Sequence, residues 1–86
     1  MTQLCGVMDN GGRTFDRYTV IFSDGSALNV GPTGNVPNGV CMWADTWREG
    51  YQPEGKWITW RSVPRPVRTA AKKALAELRK GELCAP

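Results

Sequence analysis

The spacing of apolar residues changes once along this chain, and this change limits the fold more than any other feature. Up to Arg61 the apolar and β-branched residues alternate in short runs, as they do in strands. From Ser62 onward the period becomes that of a helix. The sequence therefore predicts an α+β fold, in which an antiparallel sheet of four to five strands carries one C-terminal amphipathic helix packed on it.

Five segments have the composition of strands. The clearest is 14–23, TFDRYTVIFS, which places Tyr18, Val20 and Phe22 on one face. Ile21 makes its other face partly apolar, so we expect this strand at the centre of the sheet. The turn signals Asn-Gly and Asp-Gly lie before and after it. The other predicted strands are 3–8, 27–30, 40–45 and 56–61.

The helix is the most clearly marked element. Ser62 is its predicted N-cap, the nearby prolines are accepted in a first turn, and Gly81 is predicted to end it. Residues 82–86 are expected to form a disordered tail. The predicted apolar stripe consists of Val67, Ala70, Ala71, Ala74, Leu75 and Leu78. We expect this stripe to pack against some of Tyr18, Val20, Phe22, Trp57 and Trp60.

The length of 86 residues predicts a single domain, 1–86, with a thin core. Each of the four tryptophans is expected to contribute to that core, since burying one removes roughly 200 Å² from water. A tryptophan left exposed would instead serve as a binding anchor. An apolar run near the ~20 residues of a membrane span is absent from the sequence, and MTQLCGVMDN lacks the features of a signal peptide. The three cysteines, Cys5, Cys41 and Cys84, are widely spaced and are predicted to be reduced, in a cytoplasmic protein, with Cys84 in the tail.

The residue types favour binding over catalysis. The sequence has no histidine, which excludes the Ser-His and Cys-His nucleophile pairs and the commonest zinc sites. The acidic residues lie mostly at predicted turns, where they commonly bond to local backbone. The glycine-rich GGRTFD lacks the lysine and helix of a phosphate-binding loop. We therefore expect no enzymatic activity, no catalytic or metal-binding residue, and no cofactor.

Residues 9–20, DNGGRTFDRYTV, resemble a D-N-G-G-x-T-x-D-R-Y-T-V signature of small proteins encoded by phages and prophages. In those proteins a G-x-x-I-x-W-x-x-L-P segment leads into a C-terminal helix. Here 55–64 has the sequence GKWITWRSVP, with Val63 in place of leucine. The resemblance implies a phage origin, this type of fold and an accessory protein that binds host machinery, without supplying catalytic residues. The motif itself is either a structural turn or a docking surface containing Asp16 and Arg17.

Charge is distributed unevenly along the chain. The segment 56–80 carries eight lysines and arginines against Glu77 alone, whereas the rest has three arginines and seven acidic residues. A basic surface of this kind attracts acidic proteins or nucleic acid. The candidate partner-binding residues are Arg61, Arg65, Arg68, Lys72, Lys73, Asp16 and Arg17.

Two functions follow from these observations. The favoured one is a phage-type accessory protein that binds a host protein in the host cytoplasm. It would act as an inhibitor of a defence system, of the anti-CRISPR kind, or as a regulator. The alternative is a small nucleic-acid-binding domain that uses the basic C-terminal helix. No membrane partner is expected.

Overall fold

A computed structural model describes residues 1–13, 16–37, 39–42 and 55–84. These residues form a five-stranded sheet in the order β4-β3-β2-β1-β5, with every neighbouring pair antiparallel. The strands are β1 (Leu4–Asp9), β2 (Tyr18–Phe22), β3 (Ser26–Val30), β4 (Val40–Met42) and β5 (Lys56–Ile58). The helix α1 (Arg65–Cys84) follows β5. The predicted α+β fold is confirmed, with β2 at the centre of the sheet.

The core lies between α1 and one face of the sheet. Strand alternation directs Tyr18, Val20 and Phe22 to this face, and all three are buried there. The predicted helix stripe is also confirmed: Val67 and Ala71 are buried, and Leu78 is partly buried against the same cluster. The small alanine side chains of the stripe allow α1 to lie close to the sheet.

The segment between β5 and α1 differs from the prediction. The strand ends at Ile58, and Trp60–Ser62 forms a 3₁₀ turn in which the Val63 amide donates to the Trp60 carbonyl at 3.1 Å. Pro64 restricts the residue before it to extended backbone, and Val63 has ψ 129°. This extended residue separates the 3₁₀ turn from α1. The prediction that the strand continued to Arg61 and that Ser62 capped the helix was therefore wrong.

The C-terminal end of α1 also differs from the prediction. The helix continues through Gly81 to Cys84, so Gly81 does not end it. Glycine permits the left-handed conformation of a C-cap without requiring it, and Gly81 keeps a negative φ. Residues 82–84, with Cys84, are thus helical and not part of a tail, whereas 85–86 lie outside the described residues. Cys5 lies in β1 and Cys41 in β4, as predicted.

The tryptophans divide between core and surface. Trp60 is partly buried against the core, as expected. Trp57 is 62% exposed, so the expectation that it packs in the core was wrong. Its Cα pairs with that of Met8 in β1, and alternation directs its side chain to the face opposite the helix. There the ring lies across Gly6, where an added Cβ would be 2.7 Å from Cζ3 of the indole. Trp43 and Trp47 lie outside the described residues.

Candidate functional site

Within the DNGGRTFDRYTV motif, Asp9, Asn10 and Arg17 make hydrogen bonds in the β1–β2 connection. Arg17 donates from Nε to Oδ1 of Asp9 at 2.7 Å and from Nη2 to Oδ2 at 3.1 Å, a bidentate ion pair. Its Nη1 donates to the Gly12 carbonyl at 2.9 Å. The backbone can turn here because Gly11 and Gly12 have φ of 75° and 83°. The structure thus places Arg17 in an intramolecular network.

The side chain of Asn10 links the β1–β2 connection to the sheet by hydrogen bonds. Its side-chain amide donates to the Asp16 carbonyl at 3.0 Å and to Oγ1 of Thr19 at 2.7 Å. The Thr19 hydroxyl in turn donates to Oδ1 of Asn29 in β3 at 2.9 Å. Thr19 is only 1% exposed, so this chain of bonds satisfies a buried hydroxyl. These contacts support the structural interpretation of the motif.

The Asp9–Arg17 pair predicts a pH-dependent contribution to stability. The hydrogen bond from Arg17 lowers the pKa of Asp9 below its ordinary 3.8, although desolvation acts in the opposite direction. A carboxylate whose pKa is lower in the folded state than in the unfolded state stabilises the fold at pH values above its unfolded-state pKa. This contribution is lost as the pH falls through the folded-state pKa. Asp9→Asn should therefore lower the free energy of unfolding at pH 7, because the amide cannot form the bidentate ion pair with Arg17. The loss should be small, since both side chains are partly exposed and solvent screens the pair.

Urea unfolding of both proteins between pH 7 and pH 2.5 measures this effect. The difference between wild type and Asp9→Asn should shrink as the pH falls below about 4. Asp24, whose pKa is lowered by hydrogen bonds from Ser26, keeps some acid sensitivity in the variant. A difference that stays constant down to pH 2.5 would show that the ion pair contributes nothing.

A groove beside the helix is a concave feature of the described part of the chain. It has a volume of about 630 Å³ and lies between one flank of α1 and the 31–39 loop. Leu28 of β3 and Val40 of β4 form its floor, and both project from the helix-bearing face because they are register partners. The apolar lining is completed by Val36, Pro66, Ala70 and Ala74.

The outer wall of the groove is held by local hydrogen bonds and by contact with the helix. The Gly34 amide donates to the Gly31 carbonyl, and the Gly31 amide to the Asn35 carbonyl, each at 2.9 Å. Gly34 has φ 89° and packs so closely on α1 that an added Cβ would lie 2.8 Å from the carbonyl oxygen of Pro66. The loop is thus shaped around the first turn of the helix.

Apolar side chains remain exposed in this groove. Among the described residues, four large apolar side chains are exposed. Val36 and Val40 are two of these four, and each is 37% exposed. Single exposed apolar residues are ordinary, but several that line one concavity typically mark a binding site. The groove is therefore the candidate functional site.

The structure divides the predicted partner-binding residues among three places. Asp16 and Arg17 belong to the β1–β2 connection, away in sequence from the basic segment. Arg61, Arg65, Lys72 and Lys73 are exposed on the 3₁₀ turn and α1, and of these four only Arg65 and Lys73 line the groove. Arg68 is half-buried, and its Nε has no hydrogen-bond partner among the described residues.

Sequence reasoning missed the apolar half of this site. Residues 31–39 lie between two predicted strands and are rich in glycine and proline, a composition that predicts a surface loop and does not by itself predict that Val36 binds a partner. A large apolar residue in the middle of such a loop is the signal that could have pointed to it. Ala70 and Ala74 were assigned to the core stripe, and the structure places them at the border between core and groove.

Metal-binding clusters of three or more cysteine, aspartate or glutamate residues do not occur within the described ranges. In the same part of the chain, no helix has the length and hydropathy needed to cross a bilayer. Comparison of the chain with protein-family models, with curated proteins and with solved structures gave no significant match.

Proposed function

We propose that this protein is a non-enzymatic accessory factor that binds a partner protein through the groove between the 31–39 loop and α1. The observation that carries this proposal is the exposure of Val36 and Val40 in a mostly apolar concavity. Burying apolar area yields about 25 cal/mol per Å², so a partner side chain inserted here gains affinity. The positive charges of Arg65 and Lys73 at its border would orient the partner.

The resemblance of the motif to small phage and prophage proteins supplies the finer part of the proposal. It implies a host protein as the partner, bound in the host cytoplasm. A protein of this size that occupies an exposed surface of its target acts by occlusion, as an inhibitor of a defence system or as a regulator. The groove offers one contiguous surface for such an interaction.

Nucleic acid is the alternative partner, and one observation favours it. Arg65, Lys72, Lys73 and Lys80 are all exposed. At about 100° per residue they fall within one outward-facing sector of α1. Such a sector can follow a phosphate backbone. The groove, however, has an apolar lining, which phosphates do not require.

Affinity capture from a host lysate, with the helix variant Ala70→Glu, tests the proposed function. Ala70 lines the groove and is only partly buried, so a carboxylate there should remove the partner while the domain stays folded. Ala76→Glu is the matched control, because Ala76 is exposed and is absent from the groove lining. We expect the captured protein to be unaffected by nuclease, retained by Ala76→Glu and reduced at least tenfold by Ala70→Glu.

Nucleic acid as the partner predicts a different result in the same lysate experiment. Binding to nucleic acid would be lost on nuclease treatment and on changing Lys72 and Lys80, which are exposed and lie outside the groove lining, to glutamate. In an electrophoretic shift titration it would weaken with salt, with a log–log slope of roughly −3 to −4 for about four phosphate contacts. Tight, salt-sensitive binding of nucleic acid that the Lys72→Glu/Lys80→Glu variant abolishes would overturn the proposed function.

A further inference from the structure

We propose that the occupant of the groove is an acidic amphipathic helix of the partner protein, about three turns long, lying alongside α1. This inference rests on the proposed function and specifies the chemistry of the partner. Three observations support it: the length of the groove, the width of the sheet and the charge at the groove border.

The length of the groove matches a short helix. The α1 residues that line it include Pro66, Ala70, Lys73, Ala74 and Glu77. Their spacing of three and four residues puts them on one flank of α1, over three turns. At about 1.5 Å per residue, this flank is roughly 16 Å long. Ala70 and Ala74 lie at its middle, and small side chains allow a second helix to approach within about 8–10 Å of the α1 axis.

One helix does not cover the whole width of the sheet. Five strands spaced about 4.8 Å apart span roughly 19 Å from first to last, whereas one helix with its side chains is about 10–12 Å across. Among the described residues, the most extensive sheet contacts of α1 are with β2 and β3. Leu28 and Val40, on β3 and β4, continue the same face into the groove. A helix is the element that ordinarily covers such a face.

The charge at the border selects an acidic occupant. Arg65 and Lys73 line the groove along its N-terminal two turns, and Glu77 lines its far end. Between Arg65 and Lys80, α1 carries six lysines and arginines against Glu77. A second copy of α1 would bring like charges together, so self-association is disfavoured. The fitting helix places carboxylates opposite Arg65 and Lys73 and a lysine or arginine opposite Glu77.

Three synthetic peptides of about 18 residues test this inference, since shorter helices are marginal in water. The first has leucines at helical spacing with glutamates beside them, the second replaces the glutamates by lysines, and the third arranges the residues of the first in strict alternation, as in a strand. Binding to the full chain is measured by fluorescence anisotropy, and amide chemical shifts locate the site. We expect the first to bind at least tenfold more tightly than the others, with shifts at Val36, Val40 and Ala70.

Neighbouring lysines provide a matched pair of variants. Lys73→Glu should weaken the acidic helix about tenfold and strengthen the lysine peptide, because Lys73 lines the groove. Lys72→Glu makes the same change in net charge at an exposed residue outside the lining and should alter both affinities less than threefold. Equal effects of the two substitutions would overturn the charge assignment.

The remaining outcomes separate this inference from the proposed function. Tighter binding of the alternating peptide, with shifts in the groove, would overturn the helical occupant and leave the groove as the binding site. The same conclusion follows if no peptide shifts the groove residues while lysate capture remains sensitive to Ala70→Glu. If no peptide binds the groove and lysate capture is also unaffected by Ala70→Glu, both the proposed function and this inference are wrong.

Discussion

Ala71→Glu is expected to abolish the cooperative unfolding transition of this domain. Ala71 is 1% exposed and lies in the core cluster between α1 and the sheet. Glutamate there requires extra volume in a packed core and burial of a carboxylate without a partner. Together these cost about 3–5 kcal/mol or more, which is comparable to the whole stability of many small domains. Circular dichroism during heating and during urea unfolding measures the loss.

Ala76→Glu is the control for this prediction. It makes the same substitution in the same helix, about 140° around the axis from Ala71, at a residue that is exposed. Its free energy of unfolding should stay within about 0.5 kcal/mol of wild type. A folded Ala71→Glu protein with a cooperative transition near that of the control would show that α1 packs on the sheet by another face.

Gly34→Ala is expected to have the second-largest effect, because two costs coincide at this position. An alanine at φ 89° is strained by about 1–3 kcal/mol, and its Cβ would also lie 2.8 Å from the Pro66 carbonyl oxygen. The clashing atom is backbone at the start of α1, so the loop has to move away from the helix. We expect a loss of about 2–4 kcal/mol in the free energy of unfolding, together with altered chemical shifts at Val36 and Ala70.

Gly11→Ala separates the two costs. Gly11 also has a positive φ, of 75°, but an added Cβ there meets no atom within 4 Å. It should therefore show the conformational strain alone and leave the groove shifts unchanged. Equal losses for Gly11→Ala and Gly34→Ala would mean that the loop does not press on the helix as the structure shows.

Local sequence accounts for the order and the faces of the main elements. The alternation of Tyr18, Val20 and Phe22 is enough to predict which face of β2 enters the core, because side chains of a strand alternate by geometry alone. The spacing of Val67, Ala71 and Ala74, which follows the helical period, likewise predicts which face of α1 enters the core. The turn glycines are equally local, since Gly11 and Gly12 adopt the positive φ that their sequence context predicts.

The exact ends of elements depended on neighbouring residues that compete with one another. Pro64 overrides the capping tendency of Ser62, because it keeps Val63 extended and delays the helix to Arg65. Gly81, which can end a helix, remains inside one. Ser62 can cap a helix and Gly81 can end one, but neither residue was sufficient to do so against its neighbours.

By itself, the sequence determined the α+β class, the central strand, the core-facing stripe of α1 and the uneven charge, all of which follow from short-range periodicity and composition. Only the tertiary structure decided the site. Val36, Val40 and Ala70 lie on three different elements, and they share a groove because the sheet order and the packing of the 31–39 loop on Pro66 bring them together. Trp57 is exposed because the tertiary structure places it on the edge strand β5, on the face opposite α1.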